Sequence, residues 1–255
     1  MLETLRATRY VMPLREGGSL PALVEADDDG IYVLKFRGAG QGKKALIAEL
    51  ICGELGRLLG LPVPRLAMMD LDPILGRNEP DYEIRSLIQS SAGLNLAMDY
   101  LPGSISFDSS ANNVDPALAS AIVWFDAFIT NIDRTARNTN MLVWHKKLYL
   151  IDHGAALFFH HNWPTAEDKF RSPFAQIKDH VLLRFAHDIR GARKMIAEDE
   201  IRRIVGLVPD DWLDSENIFS NIEAHREAYV NYLIHRLASC DIFEEEAIRA
   251  RASII

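Results

Sequence analysis

Along the first third of the chain apolar and polar residues alternate with a short period; along the last part they recur with a helical one. Tyr10 to Leu14 and Leu20 to Ala26 read as strands on either side of the turn Arg15-Glu16-Gly17-Gly18-Ser19. Asp27-Asp28-Asp29-Gly30 is a second turn, made of residues that tolerate unusual backbone angles. Ile31 to Phe36 alternates and is partly β-branched or aromatic, so a β-meander is predicted. After Gly38 to Gly42, Leu46, Ile47, Leu50, Ile51, Leu55, Leu58 and Leu59 fall at helical spacing. Gly60 suits the end of that helix, and Pro62 and Pro64 prevent its continuation. Leu66 to Leu71, Glu83 to Ile88 and Asn95 to Leu101 read as further short strands.

Pro102-Gly103 breaks the pattern and marks a boundary between residues 1–103 and 104–255. Beyond it the period is mainly helical, over Pro116 to Ile129, Val181 to Ala186, Glu198 to Gly206 and Ser220 to Ser239. One exception interrupts it: Met141 to Trp144, His145-Lys146-Lys147 and Leu148 to Ile151 form a strand–turn–strand hairpin. Strands first and helices later predict an α+β protein of two lobes.

Composition narrows the class. With 255 residues, 48% of them hydrophobic, the chain can bury a substantial core. The net charge of −8, from 28 basic and 36 acidic residues, argues against nucleic acid as a partner. It leaves room for a phosphate held locally by amides, Lys and a cation. Cys52 and Cys240 sit among apolar or helical residues and read as buried thiols. No signal peptide is seen in Met1 to Pro13, and no apolar run approaches the roughly 18 residues of a membrane span. The expectation is a soluble cytoplasmic protein without a membrane partner.

The chemistry concentrates in Asn131-Ile132-Asp133-Arg134-Thr135-Ala136-Arg137-Asn138-Thr139-Asn140, between the long apolar helix and the hairpin. Asp133 and Asn138 have the Asp-to-Asn spacing of a kinase catalytic loop. Asp133 is the candidate base, and Asn138 a candidate Mg²⁺ ligand through its amide oxygen. The hairpin then delivers Asp152 just before His153-Gly154, which suits a carboxylate aimed at metal in a cleft. Any one of these residues alone reads more readily as a turn or a helix cap; their order as a set is more specific.

Lys35, inside the strand Tyr32 to Phe36, is the candidate phosphate contact. A charge there is costly to bury unless paired, and the alternative is the solvent face of an edge strand. Glu49 is the best partner on the following helix, with Glu54 second. Gly17, Gly18 and Ser19 offer a possible amide cradle for phosphate, although two glycines between strands also make an ordinary hairpin turn. Gly38 to Gly42 lacks the Gly-Lys-Ser/Thr ending of a P-loop. Met98, Asp99, Tyr100 and Leu101 would join the lobes and meet adenine with backbone groups. His153, His160 and His161 cluster without a matching zinc pattern. Trp124, Phe125 and Phe128 read as core, and Glu244-Glu245-Glu246 as a solvated face.

These residues resemble the HipA-like kinases. The resemblance rests on Tyr32-Val33-Leu34-Lys35-Phe36, on Ala48-Glu49-Leu50 running to Gly60-Leu61-Pro62-Val63-Pro64, on Asn131-Ile132-Asp133-Arg134 with Asn138, and on Ile151-Asp152-His153-Gly154. It covers about the first two-thirds of the chain, the final third matching only in being helical, and it favours Glu49 over Glu54. It implies a bilobal kinase-like fold, ATP and Mg²⁺ as cofactors, and phosphorylation of a Ser or Thr hydroxyl on a protein substrate. It further implies Asp133 as base, Asn138 and Asp152 as metal ligands, Lys35 on phosphate, and autophosphorylation at Ser19. Full-length HipA toxins carry an added N-terminal β subdomain, whereas strands here begin almost at Met1, so a short, stand-alone member is expected. Thr135 stands where many relatives have His. The same ordered residues are also compatible with a small-molecule kinase of this fold, or with a nucleotide-binding module that does not catalyse.

Overall fold

The computed structural model describes residues 2–15, 20–40, 42–213 and 218–254. Five strands close into a barrel: β1 (Thr4–Pro13), β2 (Ala22–Ala26), β3 (Ile31–Lys35), β4 (Leu66–Leu71) and β5 (Gly93–Asp99), in the order β1-β2-β3-β5-β4. β1 begins at Thr4, six residues earlier than its alternation announces, because its first turn pairs in parallel with β4 and completes the barrel (Thr4 opposite Met68, Arg6 opposite Asp70). The other barrel pairs are antiparallel. Alternation on β3 sends Tyr32 and Leu34 into the barrel core and leaves Val33 and Lys35 on its outer face.

Between β3 and β4 runs helix α1 (Gly42–Leu58), and Gly60 follows it in the left-handed region (φ +76°). The segment Glu83 to Ile88 is not a strand. It lies in α2 (Tyr82–Ser90), because Asp81 caps the helix by accepting from the Glu83 N–H at 3.0 Å. Ile84 and Ile88, one turn apart, bury against the barrel core.

Past Pro102, the short β6 (Ile105–Ser106) joins β7 (Met141–Trp144) and β8 (Lys147–Leu150) in a three-stranded sheet. The β7–β8 turn is two residues, not three: His145 (φ +48°) and Lys146 (φ +64°) both adopt the left-handed conformation of a type I′ turn. Helix α3 (Pro116–Phe128) starts at Asp115, whose carboxylate accepts from the Ala117 and Leu118 N–H groups at 3.0 Å. After the one-turn α4 (Ala166–Lys169) come α5 (Glu198–Val205), the short α6 (Asp210–Leu213), α7 (Ile222–Ala238) and α8 (Cys240–Ala252).

Val181 to Ala186 is not an α-helix and holds only a 3-10 turn, Leu183–Phe185. The Val181 and Leu182 N–H groups are already taken, by the Arg134 carbonyl at 3.1 Å and by His180 Nδ1 at 3.1 Å. The acidic run on α8 is not a solvated face. Glu244 is wholly buried and accepts from Trp124 Nε1 at 2.8 Å, Glu246 is also buried, and only Glu245 faces water.

Two apolar clusters result. One fills the barrel and the inner face of α2. The other gathers α3, α7 and α8, including Trp124, Phe125 and Phe128, and takes in α1. Helix α1 therefore packs into the core of the helical part while its Glu49 meets the outer face of barrel strand β3. Cys52 and Cys240 are buried free thiols. No helix among the described residues is long and apolar enough to cross a membrane.

Candidate active site

The outer face of β3 brings Lys35 to a junction of three elements. Its ammonium donates to Glu49 Oε1 of α1 and, at 2.8 Å, to Asp152 Oδ1 beyond β8. Glu49 Oε1 also accepts from the Gly154 N–H at 2.9 Å, so one carboxylate ties α1 to both β3 and the Asp152-His153-Gly154 segment. Glu54, the alternative partner, instead pairs with Arg57 on its own helix at 3.3 Å. Asp152 has φ +55°, a left-handed backbone that costs energy outside glycine and asparagine and is concentrated at functional sites.

Charge follows burial here. Burial alone would lower the Lys35 pKa, but Glu49 and Asp152 outweigh it and keep the ammonium protonated. Lys35 in turn holds Asp152 well below the usual carboxylate range. Burial pushes Glu49 up to about 7, against the pull of Lys35. It also pushes His153 down to about 3, so this imidazole is neutral beside the Phe125 ring. The Asp152 side chain is 46% exposed, whereas that of Glu49 is 5% exposed. Asp152 is thus the carboxylate of the pair open to a ligand.

The loop after α3 forms the second group. Asn138 Nδ2 donates to Asp133 Oδ2 at 2.8 Å, and Asn140 Nδ2 reaches the same oxygen at 3.2 Å. The Asn140 amide also lies 3.5 Å from the Asp152 carbonyl oxygen, which links this group to the first. Asp133 Oδ1 has no partner among the described residues. Asn138 is exposed and Asn140 buried.

A cavity of about 630 Å³ lies between the barrel and the β6–β8 sheet. Val33, Lys35, Asp152, Ile151, Leu142 and the whole stretch Met98, Asp99, Tyr100 and Leu101 line it, with Met12 to Arg15 from the end of β1. The size and mostly apolar walls suit a nucleotide-sized ligand. Asp133 and Asn138 are not in its wall; they join it through Asn140 and Asp152. Gly38 and Gly40 border a different depression beside α2. Gly17, Gly18 and Ser19 lie outside the described residues.

Spacing and motif alone assign no role to Asn140, Asp126 or His180. Asp126 sits inside the apolar run Ile122 to Ile129 and is fully buried. A carboxylate there requires partners, and that was the available signal. The partners are Arg134 Nε at 2.6 Å, His180 Nε2 at 2.8 Å and Asn131 Nδ2 at 3.1 Å. Burial opposes ionisation of Asp126, yet Arg134 and the hydrogen bond from His180 hold it well below the carboxylate range.

A lysine between two carboxylates, facing a cavity and backed by an Asp–Asn loop, is the equipment of a phosphotransferase. The sequence profile of the HipA-like kinases matches residues 8–245, and the chain belongs to that family. Among solved structures it is similar to the Helicobacter pylori proinflammatory kinase CtkA, with a TM-score of 0.53, 12% identity and 100% of each chain covered. That likeness speaks to the fold alone. No curated protein matches the chain.

Proposed function

We propose that this protein transfers the γ-phosphoryl group of ATP to a serine or threonine hydroxyl on a protein, with Mg²⁺ as cofactor. In this reading residues 1–103 form the nucleotide-binding lobe and 104–255 the catalytic lobe of a kinase-like fold. The observation that carries it is Lys35, held by Glu49 and Asp152 on the wall of the cavity that Met98 to Leu101 also line.

Each residue then has a task. The apolar walls take adenine. The Asp99 and Tyr100 N–H groups are already given to the Arg65 and Ile31 carbonyls, at 2.9 and 3.1 Å. The Leu101 N–H has no acceptor among the described residues, so it is the donor that meets the base. Lys35 contacts phosphate oxygens as a compact cation. Asn138 and Asp152 supply an amide and a carboxylate oxygen, the donor set a hard cation takes, and the open side of Asp152 fits this task. Bound magnesium would offset charge on the phosphate oxygens. Asp133 receives the acceptor hydroxyl's proton on Oδ1, its Oδ2 being fixed by Asn138 and Asn140. The P–O bond to ADP breaks as the bond to the acceptor oxygen forms.

The test is label transfer from γ-labelled ATP with Mg²⁺ into proteins of a cell extract, followed by phosphoamino-acid analysis. The wild type should yield phosphoserine or phosphothreonine, and Asp133→Ala should lose at least about a hundredfold in rate. Equal labelling by both proteins would overturn the assignment of Asp133. Turnover only with a pool of small metabolites would move the acceptor to another class.

A further inference from the structure

The polar contacts around Asp133 close into a ring. Asp126 Oδ1 accepts from Asn131 Nδ2 at 3.1 Å, and Asn131 Oδ1 accepts from the Asp133 N–H at 3.1 Å. Asp126 Oδ2 accepts from Arg134 Nε at 2.6 Å, and Arg134 Nη1 donates to the Asn140 carbonyl. The Asn140 side chain completes the circuit at Asp133 Oδ2, 3.2 Å away. Four of the five members, Asp126, Asn131, Arg134 and Asn140, are at least nine-tenths buried. Asn140 holds φ +46°, and the guanidinium on its carbonyl fixes that turn.

His180 adds a brace from outside the ring. Its Nδ1 accepts from the Leu182 N–H, so the ring proton sits on Nε2 and is donated to Asp126. Both oxygens of Asp126 are thereby filled, one serving each arc of the ring.

We infer that Asp126 and Arg134 are positioning residues: through Asn131 on one side and Asn140 on the other, they set the orientation of the Asp133 carboxylate. The inference rests on the reading of Asp133 as base. Neither Asp126 nor Arg134 lines the nucleotide cavity. Their contribution is to hold Asp133 within a fraction of an ångström of its productive position facing the acceptor hydroxyl, where a displacement of about 1 Å can cost about a hundredfold in rate.

The test separates positioning from plain structural charge pairing. Arg134→Lys keeps a cation opposite Asp126 but cannot span Asp126 and the Asn140 carbonyl with one planar fork. It should remain folded, bind ADP without metal within about threefold of wild type, keep the KM for ATP within about threefold, and lose at least about 50-fold in kcat. Asn131→Ala opens the other arc without touching the ion pair, and so remains informative if Arg134→Lys fails to fold. It should lose about tenfold in kcat with KM unchanged. A folded Arg134→Lys or Asn131→Ala with kcat within threefold of wild type, while Asp133→Ala is inactive, would overturn the positioning claim and leave the base assignment standing. A wild type with no ATP turnover would overturn both.

Discussion

Two buried charge clusters sit close together in this protein and are finished differently. In the first, Lys35 is shared by Glu49 and Asp152, and Asp152 stays half open to the cavity. In the second, Asp126 takes Arg134, His180 and Asn131, and no oxygen is left over. A closed cluster can only hold its surroundings; an open one has capacity for a ligand. Each centre holds a non-glycine residue in the left-handed region, Asp152 in the first and Asn140 on the ring around the second, so exposure rather than backbone strain separates them. Exposure marks where chemistry is proposed, and a carboxylate with both oxygens occupied, Asp126, marks what supports it.

Substitutions at the two centres should therefore fail in different ways. Asp152→Asn tolerates the left-handed backbone but removes the charge, so ATP turnover with Mg²⁺ should fall about a thousandfold. Its melting temperature should move by only a few degrees, since the side chain is half exposed. Asp126→Ala should do the reverse on the stability axis. It leaves Arg134 buried without its carboxylate and His180 without its acceptor, at a cost of about 3–5 kcal/mol in denaturant titration.

A third carboxylate sharpens the contrast without any link to the cavity. Glu244→Ala strands the Trp124 indole N–H in the core and should cost about 1–3 kcal/mol, while Glu245→Ala, one residue along the same helix, should stay within about 0.5 kcal/mol. The smallest effect concerns burial with no carboxylate partner among the described residues. His160 is buried, with Tyr229 Oη 3.1 Å from its Nδ1, and burial pushes its pKa well below the ordinary value. Below about pH 6.5 the unfolded chain takes up a proton there that the folded chain does not, so stability falls as pH falls. Melting curves of His160→Leu between pH 8 and pH 5 should decline less steeply than those of the wild type.

Much of this arrangement was legible in the sequence, and the gaps have physical reasons. The spacing of Asp133, Asn138 and Asp152, and the placement of Lys35 on a strand ahead of Glu49, are local signals, and the fold brings Lys35, Glu49 and Asp152 into contact. Helices α1, α3, α5 and α7 and the β7–β8 hairpin follow from periodicity within a residue or two at most ends. Closure of the barrel does not, because the parallel pairing of β1 with β4 joins residues more than 60 apart. Glu83 to Ile88 reads as a strand only if the Asp81 cap is overlooked. The Asp126 ring and the burial of Glu244 depend on contacts across the helical part, where neighbours along the chain say nothing about a side chain's partner.

In the proposed function Asp152 and its cavity form one metal–nucleotide site. Calorimetric titration of ATP into the wild type and Asp152→Asn, each with and without Mg²⁺, tests this most directly. Mg²⁺ should tighten ATP binding to the wild type by at least about tenfold, and Asp152→Asn should still bind ATP but gain less than about threefold from the metal. An equal gain from Mg²⁺ in both proteins would contradict it.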